Sequence, residues 1–223
     1  MKFKLIIPAS GTGSRYSRST GSKIPKQFLK LHGKEILALT LTRFHSIKEI
    51  DEIAIAARKE YIPRVAGIVN RNRFCKVKKI IEGGASRQDS VYAALAALEC
   101  SSYDIIIIHD AVRPFISRKK IRELIEAVKK HKAVVPGIRI SDTVKRTGNN
   151  DFITETVDRK NLWSIQTPQL FRYDILKKSF EKARKKNLTG TDESMVVEKA
   201  GYKVKIIEGE KSNIKITTRQ DLI

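Results

Sequence analysis

Leu5-Ile6-Ile7-Pro8-Ala9-Ser10-Gly11-Thr12-Gly13-Ser14-Arg15 opens the chain, and Pro25-Lys26-Gln27 follows a short way downstream. An apolar run about one strand long delivers a small-residue turn, then an Arg and a Lys. Glycines let backbone N–H groups approach phosphate oxygens closely, and two cations supply charge where a polyphosphate places its oxygens. The stretch reads as a triphosphate-binding loop. A dinucleotide fingerprint wants a third Gly where the chain has Tyr16, and a Walker loop wants Gly-Lys-Ser/Thr, which is absent. A Gly-x-Gly alone equally suits any turn after a strand, and the basic pair Arg15 and Lys26 tips the reading towards phosphate.

Working outward, strand and helix patterns alternate. Glu35 to Ile47 carries apolar residues at helical spacing, and Glu52 to Ala57 follows as a buried strand. Tyr61 to Arg71 reads as a helix, Lys76 to Ile81 as a strand ending at Gly83-Gly84, and Arg87 to Leu98 as an Ala-rich helix opened by Ser86. Tyr103 to Ile108 is the most apolar strand. Such unbroken apolar strands argue for a mostly parallel sheet covered on both faces, whose ligands sit at the carboxyl ends of its strands. Three candidate segments share that address: Ser10 to Arg15, Gly83-Gly84, and His109-Asp110-Ala111-Val112-Arg113-Pro114. Asp110 is open to two jobs, metal or ribose ligand, or helix N-cap. His109 reads as a packed histidine rather than a base.

After a helix over Ile116 to Lys130, Ala133 to Ile138 returns as a strand with a break expected at Pro136-Gly137, and there the alternation stops. Asp142 to Arg146 and Phe152 to Val157 are strand-like around a turn at Thr147 to Asp151. This hairpin has too few apolar residues for a core of its own, so it should lie against a second copy of the chain or fold back as a local flap. A helix from Tyr173 to about Lys186, another from Thr191 to Ala200 ending at Gly201, a strand Lys203 to Glu208 and the run Asn213 to Thr217 complete the chain.

Length and apolar content, 223 residues and 41%, suit one well-buried core. The opening apolar run ends in Gly-Ser-Arg and reads as a strand, not a secretory signal, and no segment approaches a membrane span. Cys75 and Cys100 are far apart without metal-ligand spacing, so the expected setting is cytoplasmic with reduced thiols. The formal charge of +21 makes anionic partners expected. However, the cations are spread along the chain with few aromatics between them, which fits solvated helix faces better than a dedicated nucleic-acid patch.

Taken together, Ala9-Ser-Gly-Thr-Gly-Ser-Arg15, Pro25-Lys26-Gln27, Gly83-Gly84-x-x-Arg87-x-x-Ser90-Val91, His109 to Pro114, Asp142-Thr143-Val144-Lys145, Thr156-Val157-Asp158-Arg159, Gln166-Thr167-Pro168-Gln169, Thr191-Asp192-Glu193 and Asn213 to Thr217 resemble the 2-C-methyl-D-erythritol 4-phosphate cytidylyltransferase family. The resemblance runs from residue 5 to 222. The ribitol-5-phosphate cytidylyltransferases are close relatives, sharing the opening, the Gln-Thr-Pro-Gln run and the final Lys-Ile-Thr. A basic nucleic-acid-binding module that kept the fold is the alternative of a different class. Departures from the family pattern are Ser10, Tyr16, Val112, a long loop from Tyr16 to Ile24, and an end at Ile223 where relatives continue into a last helix.

The resemblance implies a Rossmann-like three-layer α/β/α fold with a mostly parallel mixed sheet. It implies a single nucleotidyltransferase domain over 1–223, with 139–160 as a protruding β-hairpin dimerisation arm. It also implies transfer of CMP from CTP to a phosphorylated polyol, in a homodimer and with Mg2+ held mainly by phosphates. Arg15, Lys26 and Lys215 would stabilise the triphosphate at the reacting phosphorus. Ala9, Ser10, Gly11, Gly13, Gly83, Gly84, Ser90, Asp110 and Ala111 would bind CTP, Asp110 also being the candidate metal ligand. Arg113, Thr143, Lys145, Arg159, Thr167 and Thr191 would hold the polyol phosphate, with Thr143, Lys145 and Arg159 delivered by the arm of the neighbouring subunit.

Overall fold

The computed structural model describes residues 1–11 and 24–222. The expected roles of Gly13 and Arg15, and the departure at Tyr16, lie outside the described residues.

In chain order the elements are β1 (Phe3–Pro8), β2 (Lys30–Leu31), β3 (Lys34–Glu35), α1 (Ile36–His45), β4 (Ile50–Ala57), α2 (Ile62–Arg71) and β5 (Val77–Glu82). Then come α3 (Arg87–Ala97), β6 (Ile105–Ile108), α4 (Arg118–His131), β7 (Ala133–Arg139), β8 (Val144–Thr147) and β9 (Ile153–Val157). The chain closes with β10 (Trp163–Ile165), β11 (Gln169–Arg172), α5 (Tyr173–Lys185), α6 (Glu193–Lys199) and β12 (Lys205–Glu208).

Eight strands form one sheet in the order β10-β7-β11-β6-β1-β4-β5, with β12 also on β7. Strand β1 is parallel to both β4 and β6, β4 to β5, and β7 to β12, whereas β10 and β11 run antiparallel to their partners. The sheet is therefore mixed and mostly parallel. Its central strands β1, β4 and β6 are largely apolar because each feeds two cores. Leu5, Ile7, Ile53, Ile55 and Ile107 face Leu41 and Phe44 of α1, Ile68 of α2 and Leu124 of α4. Ile6, Ala54, Ala56, Ile106 and Ile108 face Val91 and Ala94 of α3, Phe180 of α5 and Val197 of α6. Burial on both faces is what an alternating apolar–polar strand could not supply.

From β1 the chain steps outward through β4 to β5 with α1 and α2 on one face. It then crosses the other face in α3 and returns to the far side of β1 as β6. The loops after β1 and β6 thus leave in opposite directions, and a crevice opens between their carboxyl ends.

Element ends shift by a residue or two from the sequence reading, and three differences have a visible cause. Strand β6 begins at Ile105, because Asp104 turns its carboxylate onto the backbone N–H groups of Lys2 and Ser101 and leaves Tyr103 exposed. Strand β7 runs through Pro136-Gly137 without a break: parallel pairing continues from Val134 to Gly137 against Lys205 to Glu208, and the Pro136 carbonyl accepts from Gln166 N–H. The segment Trp163 to Arg172, left unassigned by periodicity, lies along β7 as β10 and β11. The α6 terminus is as expected, with Gly201 at a φ of +95° just past the helix.

Among the described residues, strands β8 and β9 pair only with each other, and Phe152 and Ile153 stand 75% and 63% exposed at the turn. No described helix is long and apolar enough to cross a membrane.

The double-faced core makes a stability prediction. Phe180 is fully buried, so Phe180→Ala should cost about 3–5 kcal/mol in urea unfolding, whereas exposed Tyr103→Ala should change stability by about 0.5 kcal/mol or less. Equal costs would contradict the packing described.

Candidate active site

A cavity of about 310 Å³ occupies the crevice, lined among others by Ala9, Ser10, Gly11, Lys26, Gln27, Arg58, Ala85 to Arg87, Asp110, Ala111 and Lys215. Four of its described lining residues are cations, Lys26, Arg58, Arg87 and Lys215, and one, Asp110, is a carboxylate.

The start of the opening loop is pinned from behind. Gln27 Nε2 donates to the carbonyls of Ala9 and Gly11 at 2.6 and 3.2 Å, and Arg58 Nε donates to the Ser10 carbonyl at 3.0 Å. Ser10 Oγ lies 2.5 Å from Ser90 Oγ, joining the first loop to α3. That approach depends on Gly83, where a Cβ would come within 2.8 Å of the Ser10 side chain and 2.9 Å of Ser90 Oγ. At Gly84 a Cβ would meet Asp89 Cβ at 2.3 Å, so the chain turning into α3 has no room for a side chain at either position. Ser86 then caps α3 in a reciprocal box with Asp89, fixing the first turn that carries Arg87.

Asp110 follows β6. It caps no helix, since α4 begins at Arg118 under Ser117. Instead its carboxylate, 7% exposed, receives Arg87 Nε at 3.1 Å on Oδ1 and Lys215 Nζ at 2.8 Å on Oδ2, with Arg113 Nε at 3.5 Å. Burial opposes this charge, but Arg87 and Lys215, with Arg113, outweigh it and hold the carboxyl far below the usual range. Burial also works against the Arg87 guanidinium, yet Glu193 and Asp110 prevail and keep it firmly protonated. Glu193, 1% exposed at the start of α6, takes Arg87 Nη1 on both oxygens at 2.6 and 2.8 Å.

Lys26 is buried beside the pocket, with Nζ donating to the Ile216 carbonyl at 3.1 Å. Ile216 N–H in turn donates to Val112 O, so the segment from Asn213 to Thr217 is stitched across the mouth of the site. Lys26 and Lys215, 189 residues apart in number, thus meet at one cavity. Arg113 Nη1 donates to the Asn213 carbonyl, and Asn213 Nδ2 to the Thr167 carbonyl.

Thr167 is buried and does not line the cavity. Its hydroxyl oxygen accepts from Asp110 N–H at 3.1 Å and lies 3.0 Å from His109 Nδ1. His109 Nε2 is 2.9 Å from the Arg113 carbonyl, which can only accept. Nε2 therefore carries the ring proton, and Thr167 O–H donates to Nδ1. Thr191 is exposed, its hydroxyl 3.7 Å from Met195 Sδ, and is outside the lining set. The arm residues Thr143, Lys145 and Arg159 are exposed and do not line their own chain's cavity; Lys145 Nζ donates to Thr156 Oγ1 at 2.6 Å, and Arg159 donates to the Ser141 carbonyl.

Sequence reasoning assigned no role to Arg58, Glu193 or Arg87. Arg87 stands inside a quoted motif, but its partners are 23 and 106 positions away, and a cation on a first helical turn reads as solvated.

Burial lowers the His109 pKa to about 4, against Asp110, which raises it. The unfolded chain therefore holds an extra proton here between pH 6.5 and about 4. Stability is complete above that window and falls as pH drops through it, by about 2–3 kcal/mol. Urea unfolding at pH 7.5 and 4.5 should show this loss, and His109→Gln should flatten it; an unchanged slope would sink the assignment.

The family model described as IspD, 2-C-methyl-D-erythritol 4-phosphate cytidylyltransferase, matches residues 3–223. The chain is 40% identical over 226 residues to the enzyme of that name from Acidobacterium capsulatum, covering 100% of this chain and 95% of the relative. It is 41% identical over 221 residues to that from Clostridioides difficile, covering 99% and 90%. Among solved structures, the 2-C-methyl-D-erythritol 4-phosphate cytidylyltransferase of Francisella tularensis superposes with a TM-score of 0.83 at 34% identity, covering 100% of this chain and 97% of that one. The 4-diphosphocytidyl-2C-methyl-D-erythritol synthase of Anaerococcus prevotii gives 0.82 at 31%, covering 99% and 94%. Matched by the family model over residues 3–223, the chain belongs to the 2-C-methyl-D-erythritol 4-phosphate cytidylyltransferase family of nucleotidyltransferases.

Proposed function

We propose that the chain transfers CMP from CTP to 2-C-methyl-D-erythritol 4-phosphate, forming CDP-methylerythritol and pyrophosphate for isoprenoid biosynthesis by the non-mevalonate route. The observation that carries this is the cavity at the ends of β1 and β6, where four cations face one carboxylate. In the reaction a phosphate-monoester oxygen attacks the α-phosphorus of CTP. A P–O bond forms as the bond to the pyrophosphate oxygen breaks. Two polyanions must meet and charge gathers on the α-phosphoryl oxygens, so positioning and fixed cations do most of the work.

Lys26 and Lys215 approach that charge from opposite ends of the chain, with Arg15 as the third cation. Ser10, Gly11 and the backbone near Ala9 face the triphosphate. We assign the base to the side of the cavity next to Gly83 and Gly84, which are outside its lining as is the fully buried Ser90, and we assign the ribose and reacting phosphate to the side of Asp110 and Ala111. Mg2+ fits this donor set as a phosphate-held ion. Asp110 is the one described carboxylate lining the cavity, and no three His, Cys, Asp or Glu side chains among the described residues gather into a cage. Asp110 would hold the ion beside the substrate's phosphates, and when bound it neutralises phosphate charge. We assign the reaction to the cytoplasm as its setting.

The polyol end of the reaction points to a homodimer. The β8–β9 arm pairs with nothing else in the described chain and exposes Phe152 and Ile153, and its Thr143, Lys145 and Arg159 do not line their own cavity. We assign them to the neighbouring subunit's site, where they hold the phosphopolyol together with Arg113, Thr167 and Thr191; of these, Thr167 acts through Asp110 and His109.

Pyrophosphate release from CTP with 2-C-methyl-D-erythritol 4-phosphate tests the reaction. Lys26→Ala should lower kcat about 10²–10³-fold with the fold retained. Turnover with ribitol 5-phosphate alone would overturn the proposed substrate.

Complementation tests the arm. Lys26→Ala and Arg159→Ala, each nearly inactive, should regain about one quarter of wild-type activity when unfolded together and refolded, because half the dimers are mixed and each mixed dimer holds one intact composite site. No recovery would count against an arm supplied in trans.

A further inference from the structure

Arg87 sits at the first helical position of α3, where a cation opposes the helix macrodipole, so helix stability does not explain it. Its side chain is locked at both ends of its fork. Nε reaches Asp110 Oδ1, and Nη1 reaches both oxygens of Glu193, a carboxylate that is 1% exposed and does not line the cavity. The backbone on each side is locked as well. The Ser86–Asp89 box fixes the start of α3, and Asp192 caps α6 while Gln169 Nε2 holds its carboxylate at 2.8 Å. Three elements far apart in sequence, the β6 loop, the α3 start and the α6 start, therefore converge on one guanidinium.

The two oxygens of Asp110 have unlike partners. Oδ1 belongs to Arg87, whose own charge is already shared with Glu193. Oδ2 belongs to Lys215, whose side chain is 37% exposed, with Arg113 Nε farther off at 3.5 Å. A flexible ammonium at the cavity can turn from a carboxylate to an incoming phosphate, whereas a planar fork held by two buried carboxylates cannot.

We propose that Arg87, braced by Glu193, is a positioning residue that holds the Asp110 carboxylate fixed and charge-balanced while Lys215 passes from Asp110 to the phosphates of the bound nucleotide. This rests on the cytidylyl-transfer reading. Without Arg87, the departure of Lys215 leaves a buried carboxylate short of partners, and the site rearranges at the step where it should be rigid. The ammonium of a lysine at this position reaches Glu193 or Asp110, but not both with the same geometry.

The test is steady-state kinetics of Arg87→Lys and Glu193→Gln beside the wild type, with thermal melting of each. Arg87→Lys should lose about 10–100-fold in kcat while KM for CTP stays within about 3-fold, and Glu193→Gln should lose less in the same direction. Both should stay folded at the assay temperature. A kcat within 2-fold of wild type for Arg87→Lys would overturn the proposal, as would a loss that only follows the unfolded fraction. Wild-type protein that itself fails to release pyrophosphate would instead refute the reaction on which the proposal rests.

Discussion

The Asp110 carboxylate is the constraint on which the rest of the site depends. A charge that deeply buried survives only when paired, and its partners come from α3, from the turn it shares with Arg113, and from the last segment of the chain. Meeting that demand draws Arg87, Arg113 and Lys215 to one point. Three cations there meet two carboxylates, Asp110 and Glu193, and with Lys26 and Arg58 also in the lining the positive charges exceed the negative. The excess is what makes the cavity suited to a polyanion.

The backbone reaches this arrangement through the sheet. Strand β1 lies centrally between β4 and β6, and the reversal of winding direction there parts the loops that follow β1 and β6. Close packing then fills the gap. Gly83 and Gly84 allow α3 to approach the first loop, Gln27 holds that loop's carbonyls, and the Asn213–Thr217 segment crosses the opening through Ile216 and Val112. The buried relay from Asp110 N–H through Thr167 to neutral His109 and the Arg113 carbonyl keeps the β6 loop from shifting as phosphates come and go.

Much of this was legible in the sequence, for identifiable reasons. Continuous apolar strands such as Leu5 to Ile7 and Ile105 to Ile108 disclosed a sheet buried on both faces, and the address of Ser10, Gly83 and Asp110 at strand ends followed from that. Local turn chemistry predicted the start of α3 at Ser86, and Gly201 after α6. What escaped was set by tertiary contact. Pro136-Gly137 looked like an interruption, yet pairing with β12 carries β7 through it. Trp163 to Arg172 has no clean period because its role is to follow β7 and then hold Asp110 and Asn213 through Thr167. Glu193 as a brace could not be read at all, since nothing local distinguishes a buried carboxylate from a solvated one at the first turn of a short helix.

That a cluster organised around Asp110 takes partners from positions 87, 113, 193 and 215 also bears on the order in which the protein is made. The central strand emerges from the ribosome before β4 and β5, which can join it as they follow. Arg87 and Asp110 follow, but Glu193 and Lys215 emerge 83 and 105 residues after Asp110, and the segment that crosses the mouth of the site comes with Lys215. A nascent chain therefore carries the scaffold long before it carries the charge balance. The pocket's partners are complete only once Lys215 is made, so a product interrupted before Glu193 lacks the charge balance that suits the site to phosphates.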